Sequence, residues 1–193
     1  ETTESTNLDA AKIVKTAPHG TTILADAQTA GRGRLGRSFF APSGGIYMSV
    51  ILHLNLAFSD AVLITTAASV AVCKAVEAVS SVRPQIKWVN DILVDGKKVC
   101  GISCEAVSAG ETIDAVILGI GINFSAQEFP KELQDTAGVL FSKPPISRNV
   151  LTAEILKNLL EETKDLASRK FIEDYRMRSA VIGKPVRYLE AGV

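Results

Sequence analysis

The sequence predicts an α+β fold built on a largely antiparallel sheet, and three observations carry that expectation. Two strand-like runs, 86–94 and 97–106, flank Asp95-Gly96, a pair that supplies the positive φ values of a two-residue hairpin turn. A second turn at Ala109-Gly110 leads into 112–124, the most apolar run of the chain, so three neighbouring strands on tight connections pair antiparallel. Residues 61–79, rich in Ala, Val and Leu, have the length of a helix that is apolar on most of its faces and needs a partner layer to cover it.

The remaining elements follow in order. Ser5-Thr6-Asn7 offers a hydroxyl N-cap to a short amphipathic helix that ends before Pro18-His19-Gly20. Residues 21–26 read as a strand, a glycine-arginine loop follows, and Gly44-Gly45 opens a β-branched and aromatic run at 46–54 that reads as a buried strand. Ser59-Asp60 caps the long helix, and 149–168 and 171–177 read as two more helices. Gly183-Lys184-Pro185 then starts a short strand, 186–189, that stops almost at once at Val193. The division expected is a domain over 1–181 and the start of a second unit over 182–193; with no initiator Met, both ends are read as cuts.

Composition bounds the functions. With 193 residues, 47% of them hydrophobic, the chain can bury one good core. Lys+Arg and Asp+Glu are 21 each, so no global basic field exists to hold nucleic acid, and a cationic site must be local. Three cysteines, Cys73, Cys100 and Cys104, form no disulfide framework and point to a reducing compartment, hence the cytoplasm. The longest apolar stretch, 61–79, is interrupted by Lys74 and Glu77 and is expected to fall short of a bilayer span of roughly 20 residues.

Three motifs carry chemistry. Residues 31–37 read Gly-Arg-Gly-Arg-Leu-Gly-Arg: the glycines allow close backbone approach, and each guanidinium offers a planar fork of donors matched to phosphate or carboxylate oxygens. The spacing Gly31-x-Gly33-x-x-Gly36 satisfies the dinucleotide fingerprint formally, but Ser38 to Gly45 cannot open the helix that the fingerprint requires. Against the phosphate reading stands a solvated basic loop. The second motif is the run from Lys87 through Trp88, Val89, Asn90 and Asp91 to Lys97, Lys98 and Gly101. Alternation puts Asn90 and Asp91 on opposite faces unless the strand is irregular, and Asp91 is either a Mg²⁺ ligand beside phosphates or a strand-end hydrogen-bonding group. Lys98 is a site lysine or a solvent-facing one, and Trp88 is core or stacking platform. The third is Gly119-Ile120-Gly121-Ile122-Asn123, where alternating glycines in a buried strand mark close approach or a bulge, and Asn123 carries both a donor and an acceptor. His19 and His53 are the only imidazoles and neither sits in a motif, so no nucleophilic triad or metal cluster is indicated. What remains is arginine, lysine, amide and one carboxylate, a set suited to electrostatic stabilisation of phosphoryl or adenylyl transfer.

These motifs, in this order, resemble the catalytic domain of biotin protein ligases: Ser5-Thr6-Asn7, Gln28 to Arg37, Gly45 to Ser49, Lys87 to Asp91, Lys97-Lys98 with Gly101, and Gly119 to Asn123. The resemblance covers nearly the whole chain. It implies a mixed sheet backed by helices, related to class II aminoacyl-tRNA synthetases, followed by a small SH3-like C-terminal domain of which 182–193 would be the start. It also implies an ATP-dependent reaction in which biotin and Mg-ATP give biotinyl-5′-AMP and a lysine of a biotin carboxyl carrier protein takes the biotinyl group. Carried over residue by residue, Ser5, Thr6, Asn7, Gln28, Gly31, Arg32, Gly33, Arg34, Lys98 and Gly101 hold biotin. Arg34, Arg37, Phe39, Lys87, Asn90 and Asn123 hold ATP. Lys98, with Arg34 and Asp91, carries the chemistry, and Asp91 is the candidate Mg²⁺ ligand. Two departures stand out: Phe39 replaces the family's usual Trp, and Val89 replaces the usual Pro between Trp88 and Asn90. A homodimer through sheet edges is implied. The other readings are lipoate-protein ligase, which shares the fold and acyl-adenylate chemistry, and a biotin-operon repressor if a winged helix-turn-helix precedes residue 1.

Overall fold

The computed structural model describes residues 1–57, 60–109, 112–125 and 128–186. In chain order these form β1 (Thr2–Thr3), α1 (Thr6–Ile13), β2 (Thr22–Ala25), β3 (Ala27–Gln28), β4 (Ile46–Ala57), α2 (Ala61–Val79), β5 (Gln85–Lys87), β6 (Asp91–Val94), β7 (Lys97–Ala109), β8 (Thr112–Ile122), α3 (Arg148–Lys164) and α4 (Phe171–Met177), with single 3₁₀ turns at Arg34–Gly36, Lys131–Leu133 and Leu166–Ser168.

One six-stranded sheet in the order β2-β4-β8-β7-β6-β5 organises the molecule, and every pairing in it is antiparallel. The period of two along the long central strands sorts side chains between faces. Met48, Val50 and Leu52 of β4, with Leu118 and Ile120 of β8, are buried on the back, where they join α2 and the α3 residues Leu151, Ile155 and Leu159 in the main core. Twelve α2 residues between Ile64 and Val76 are buried, because this helix is sandwiched between sheet and α3. On the front, α1 covers one end only: Ala10 and Val14 pack on Ile51, Ala115 and Ile117 in a second small cluster. The rest of the front face is open, and the site lies there.

The largely antiparallel sheet stands as expected, with parallel pairing among the described residues at the β1–β3 ribbon and at isolated bridges such as Ile86 with Ser179. Several other expectations are corrected. The expected strand 86–94 is two strands, interrupted at residues 88–90. Ser5 is 1% exposed and, contrary to the expected cap, makes no side-chain bond to α1. The expected helix 149–168 stops at Lys164, where the Asp165 carboxylate accepts the Ser168 N–H at 3.2 Å and closes a separate turn. By length and apolarity α2 does pass as a membrane span, contrary to the reading from Lys74 and Glu77, yet it is packed within the fold. Ser59 and Gly110, expected in a cap and a turn, and most of the expected C-terminal unit, 187–193, lie outside the described residues.

Candidate active site

The floor of the site is set by register. On the front face, Tyr47, Gly121 and Gly101 stand in one row across β4, β8 and β7, and Ser49, Gly119 and Ser103 stand in the next. Where the back face carries Met, Ile and Leu, these rows carry, apart from Tyr47 at one end, only glycine and serine, so a groove runs along the sheet. It widens into a cleft of about 230 Å³. A methyl group on Gly119 would fall 2.5 Å from Asn7 Oδ1 and 2.6 Å from Ser103 Oγ, and one on Gly121 would fall 2.7 Å from the Phe39 ring. Both glycines are needed for these close approaches.

One end of the groove is neutral and hydrogen-bonded. The Thr6 N–H donates to Gln28 Oε1 at 2.8 Å and the Thr6 hydroxyl donates to the same oxygen at 3.1 Å. Since a backbone N–H can only donate, Gln28 must turn its oxygen to Thr6, which leaves Nε2 for the cleft that Gln28 lines. Asn7 Nδ2 donates to Glu105 Oε1 at 2.6 Å and, more weakly, to Ser103 Oγ at 3.4 Å. A carboxylate only accepts, so the Asn7 oxygen faces Ser49, whose hydroxyl lies 2.5 Å from it and 2.7 Å from Thr6 Oγ1. The amides of Gln28 and Asn7 are thereby fixed in orientation before a ligand arrives.

The other end is cationic. Lys98 Nζ pairs with Asp91 Oδ1 at 2.7 Å and lies 5.9 Å from the centroid of Phe39. The arginine loop is closed by three backbone bonds, Phe39 N–H to Gly31 O at 2.8 Å, Gly33 N–H to Arg37 O at 2.7 Å and Arg37 N–H to Arg34 O at 3.2 Å, with Gly36 at φ 73° in its turn. Arg34 reaches across the mouth to donate to Asn90 Oδ1 at 3.2 Å, and Asn90 in turn donates to Ile102 O at 2.8 Å. Among the described residues none of Arg32, Arg34 and Arg37 is ion-paired. An anion entering the cleft therefore meets guanidinium groups whose charge is not already matched.

A second cleft of about 420 Å³ adjoins the first and shares Arg37, Phe39, Asp91 and Lys98 with it. Lys87, Asn123 and Phe129 line it. Asn123 is 5% exposed; its amide nitrogen donates to Gly138 O at 3.0 Å and Lys98 O at 3.4 Å, while its Oδ1 is buried without a partner among the described residues. The donor half of Asn123 thus holds the 137–140 segment, and its oxygen is enclosed behind the cleft wall.

The expected site residues divide between the two clefts. Ser5, Thr6, Asn7, Gln28, Arg32, Gly33, Arg34, Lys98 and Gly101 line the first, as does Asn90 from the expected nucleotide set. Gly31 stands behind it, buried, at the neck of the loop. Lys87 and Asn123 line the second, and Arg37 and Phe39 line both. Asn90 and Asp91 both face the first cleft, against simple alternation, because the chain leaves strand geometry in the turn at 88–90 between β5 and β6. Trp88 is 72% exposed, so it is not core. No group of three metal-ligating side chains exists among the described residues, and Asp91 is the only carboxylate lining the first cleft. Ser49, Ser103 and Glu105 were not predicted; the signal that could have found them is their place, at a period of two, on the strand face that also carries the glycines.

This fold and site are shared with a family of protein ligases: the chain belongs to the Biotin/lipoate A/B protein ligase family, whose model matches residues 1–123. Among its relatives is the bifunctional ligase/repressor BirA of Bacillus spizizenii, 44% identical over 124 residues, which are 63% of this chain and 38% of that protein. Another is the biotin–[acetyl-CoA-carboxylase] ligase of Mycobacterium tuberculosis, 31% identical over 182 residues, 87% of this chain and 64% of that protein. The chain therefore spans less than two thirds of the length of these relatives. In structure it is similar to the biotin protein ligase of Aquifex aeolicus in complex with biotin and ATP, with TM-score 0.82 and 28% identity over all of this chain and 82% of that one.

Proposed function

We propose that this chain activates biotin with ATP, forming biotinyl-5′-AMP and pyrophosphate, and passes the biotinyl group to a lysine of a biotin carboxyl carrier protein. One observation carries the choice of substrate: the neutral end of the first cleft offers Gln28 Nε2–H as donor and Asn7 Oδ1 as acceptor, both fixed by their other bonds. The complement of that pattern is a urea, one carbonyl flanked by two N–H groups. A dithiolane ring, the head of lipoate, has no group to satisfy it, and buried polar groups left unpaired would work against its binding.

With the ring there, the carboxylate of the side chain points toward Lys98 and the arginine loop. Lys98 and Arg34 offset the like charge of carboxylate and α-phosphate as they approach, and stabilise the charge that builds on the transferring phosphoryl group. Asp91 holds the Lys98 ammonium in place. The nucleotide occupies the second cleft, beside Phe39, Lys87, Arg37 and Asn123. Asp91 is the residue that would hold Mg²⁺ brought with ATP, which would supply neutralisation of phosphate charge; one carboxylate alongside phosphate oxygens fits the sparse protein ligation this ion accepts. After adenylation the loop covers the mixed anhydride and limits its hydrolysis until the acceptor amine arrives.

Of the two sheet edges, β5 is covered by residues 178–180 through Ile86, whereas β2 is open and carries Leu24 at 55% exposure, which supports β2 as the edge that pairs in a homodimer. Three free cysteines support a reducing, cytoplasmic setting. The test is labelling: chain, ATP, Mg²⁺ and biotin are mixed with a carrier domain and the product is probed with streptavidin. Labelling of one carrier lysine is expected; none, with the carrier folded, contradicts the assignment.

A further inference from the structure

The neutral end of the cleft contains one donor that the family's motifs do not include. Ser103 lies on the front face of β7, directly across from Gly119, with Ser49 beyond it on β4. Its side chain lines the cleft, is 8% exposed, and takes a long hydrogen bond of 3.4 Å from Asn7 Nδ2. Among the described residues no group accepts the Ser103 proton. Asn7 cannot turn to accept it, because its nitrogen is held by Glu105 at 2.6 Å and its oxygen by Ser49.

The position suits recognition of the far end of the ligand. Lys98 lays its ammonium over Gly101, 3.2 Å from where a methyl there would stand. Ser103 is two residues further along the same strand, about 7 Å away at the usual rise. A ligand whose carboxylate meets Lys98 thus brings its ring over Ser103. Gly119 clears the space: a side chain there would meet Asn7 and Ser103 at once.

We infer that Ser103 is a specificity-determining residue, whose hydroxyl donates to the urea carbonyl of biotin beside Gln28 Nε2. The inference rests on the biotin reading above and adds to it a second donor on the same oxygen. A urea oxygen has two lone pairs, and an oxygen that accepts two bonds distinguishes a urea from analogues in which that atom carries protons. Ser103 thereby selects the carbonyl itself.

The experiment is equilibrium binding by calorimetry of three ligands to the chain and to its Ser103→Ala variant: biotin, desthiobiotin, which keeps the urea and lacks the thioether ring, and 2-iminobiotin, whose carbonyl is replaced by a protonated guanidinium-type nitrogen at pH 7. Loss of one neutral hydrogen bond corresponds to about a 3- to 15-fold rise in Kd. Biotin and desthiobiotin should both lose that factor, while 2-iminobiotin changes by less than about twofold and ATP binding is unchanged. If all three ligands weaken alike, or none weakens, Ser103 does not read the carbonyl and the inference is overturned. If the unsubstituted chain binds no biotin, the biotin reading itself falls, and this assignment with it; the two failures are distinguished by the unsubstituted chain alone.

Discussion

Lys98 Nζ and Asp91 Oδ1 stand 2.7 Å apart where β6 and β7 pair, so the ammonium expected to face the reacting carboxylate is held from behind by a carboxylate of its own. The pair is part exposed, and its worth is in placement more than in stability. Lys98→Ala should cost adenylation on the order of 10²-fold or more, because it removes a fixed charge from the transition state and leaves Asp91 facing an anionic ligand. Asp91→Asn should cost less in that step. Single-turnover pyrophosphate release measures both, and equal losses would contradict the roles given.

The two glycines of β8 should separate the two clefts. Gly119→Ala places a methyl against Asn7 and Ser103 and is expected to weaken biotin at least about tenfold while sparing ATP. Gly121→Ala collides with the Phe39 ring instead, at 2.7 and 2.9 Å, and should disturb the nucleotide side. Titrations of each ligand against each variant check the pattern.

Arg34 reaches Asn90 across the cleft mouth and has no ion-pair partner among the described residues. Arg34→Gly should therefore leave the fold intact, loosen the cover and release biotinyl-AMP. The readout is biotin on bystander lysines of an unrelated protein, rising against the unsubstituted chain. A loop with only a structural role would lose melting temperature and activity together.

How much of this was legible in the sequence depends on how local each determinant is. The turn at Asp95-Gly96 and the helix at 61–79 stand where their residues put them, since turn chemistry and apolar content are local signals. The arginine loop and Lys98 were visible as motifs for the same reason. Facing both Asn90 and Asp91 into the cleft was not visible, because it depends on a break at 88–90 that strand alternation does not encode. Ser5 reads as a cap and is buried instead, a tertiary effect that outweighs its local preference. Ser49, Ser103 and Glu105 needed the register of β4, β8 and β7 before they could be seen beside Asn7.

Acid stability should report on the helices behind the sheet. Burial opposes ionisation of Asp174, but hydrogen bonds from Lys74 and Arg178 outweigh it and hold its carboxyl below the usual range. A folded pKa below the unfolded one contributes stability that is present above about pH 3.9, the unfolded value, and is lost as pH falls through the folded value. Asp174→Asn should lower stability at neutral pH and flatten the acid limb of a denaturant midpoint against pH. An unchanged limb would show that the group does not couple to folding.

The thiols should be inert in the folded chain. Burial pushes Cys73 up to about 12 and Cys104 up to about 11, and raises Cys100 further still. Thiolate is the reactive form, so iodoacetamide at pH 8 should leave all three unmodified until denaturant is added. Mass spectrometry of the alkylated chain gives the count directly.

The most direct measurement is pyrophosphate release with ATP, Mg²⁺ and either biotin or lipoate as the sole acid. The urea-shaped pattern of Gln28 and Asn7, set against the cationic end at Lys98, predicts release with biotin and little with lipoate. Release with lipoate and none with biotin would contradict the account.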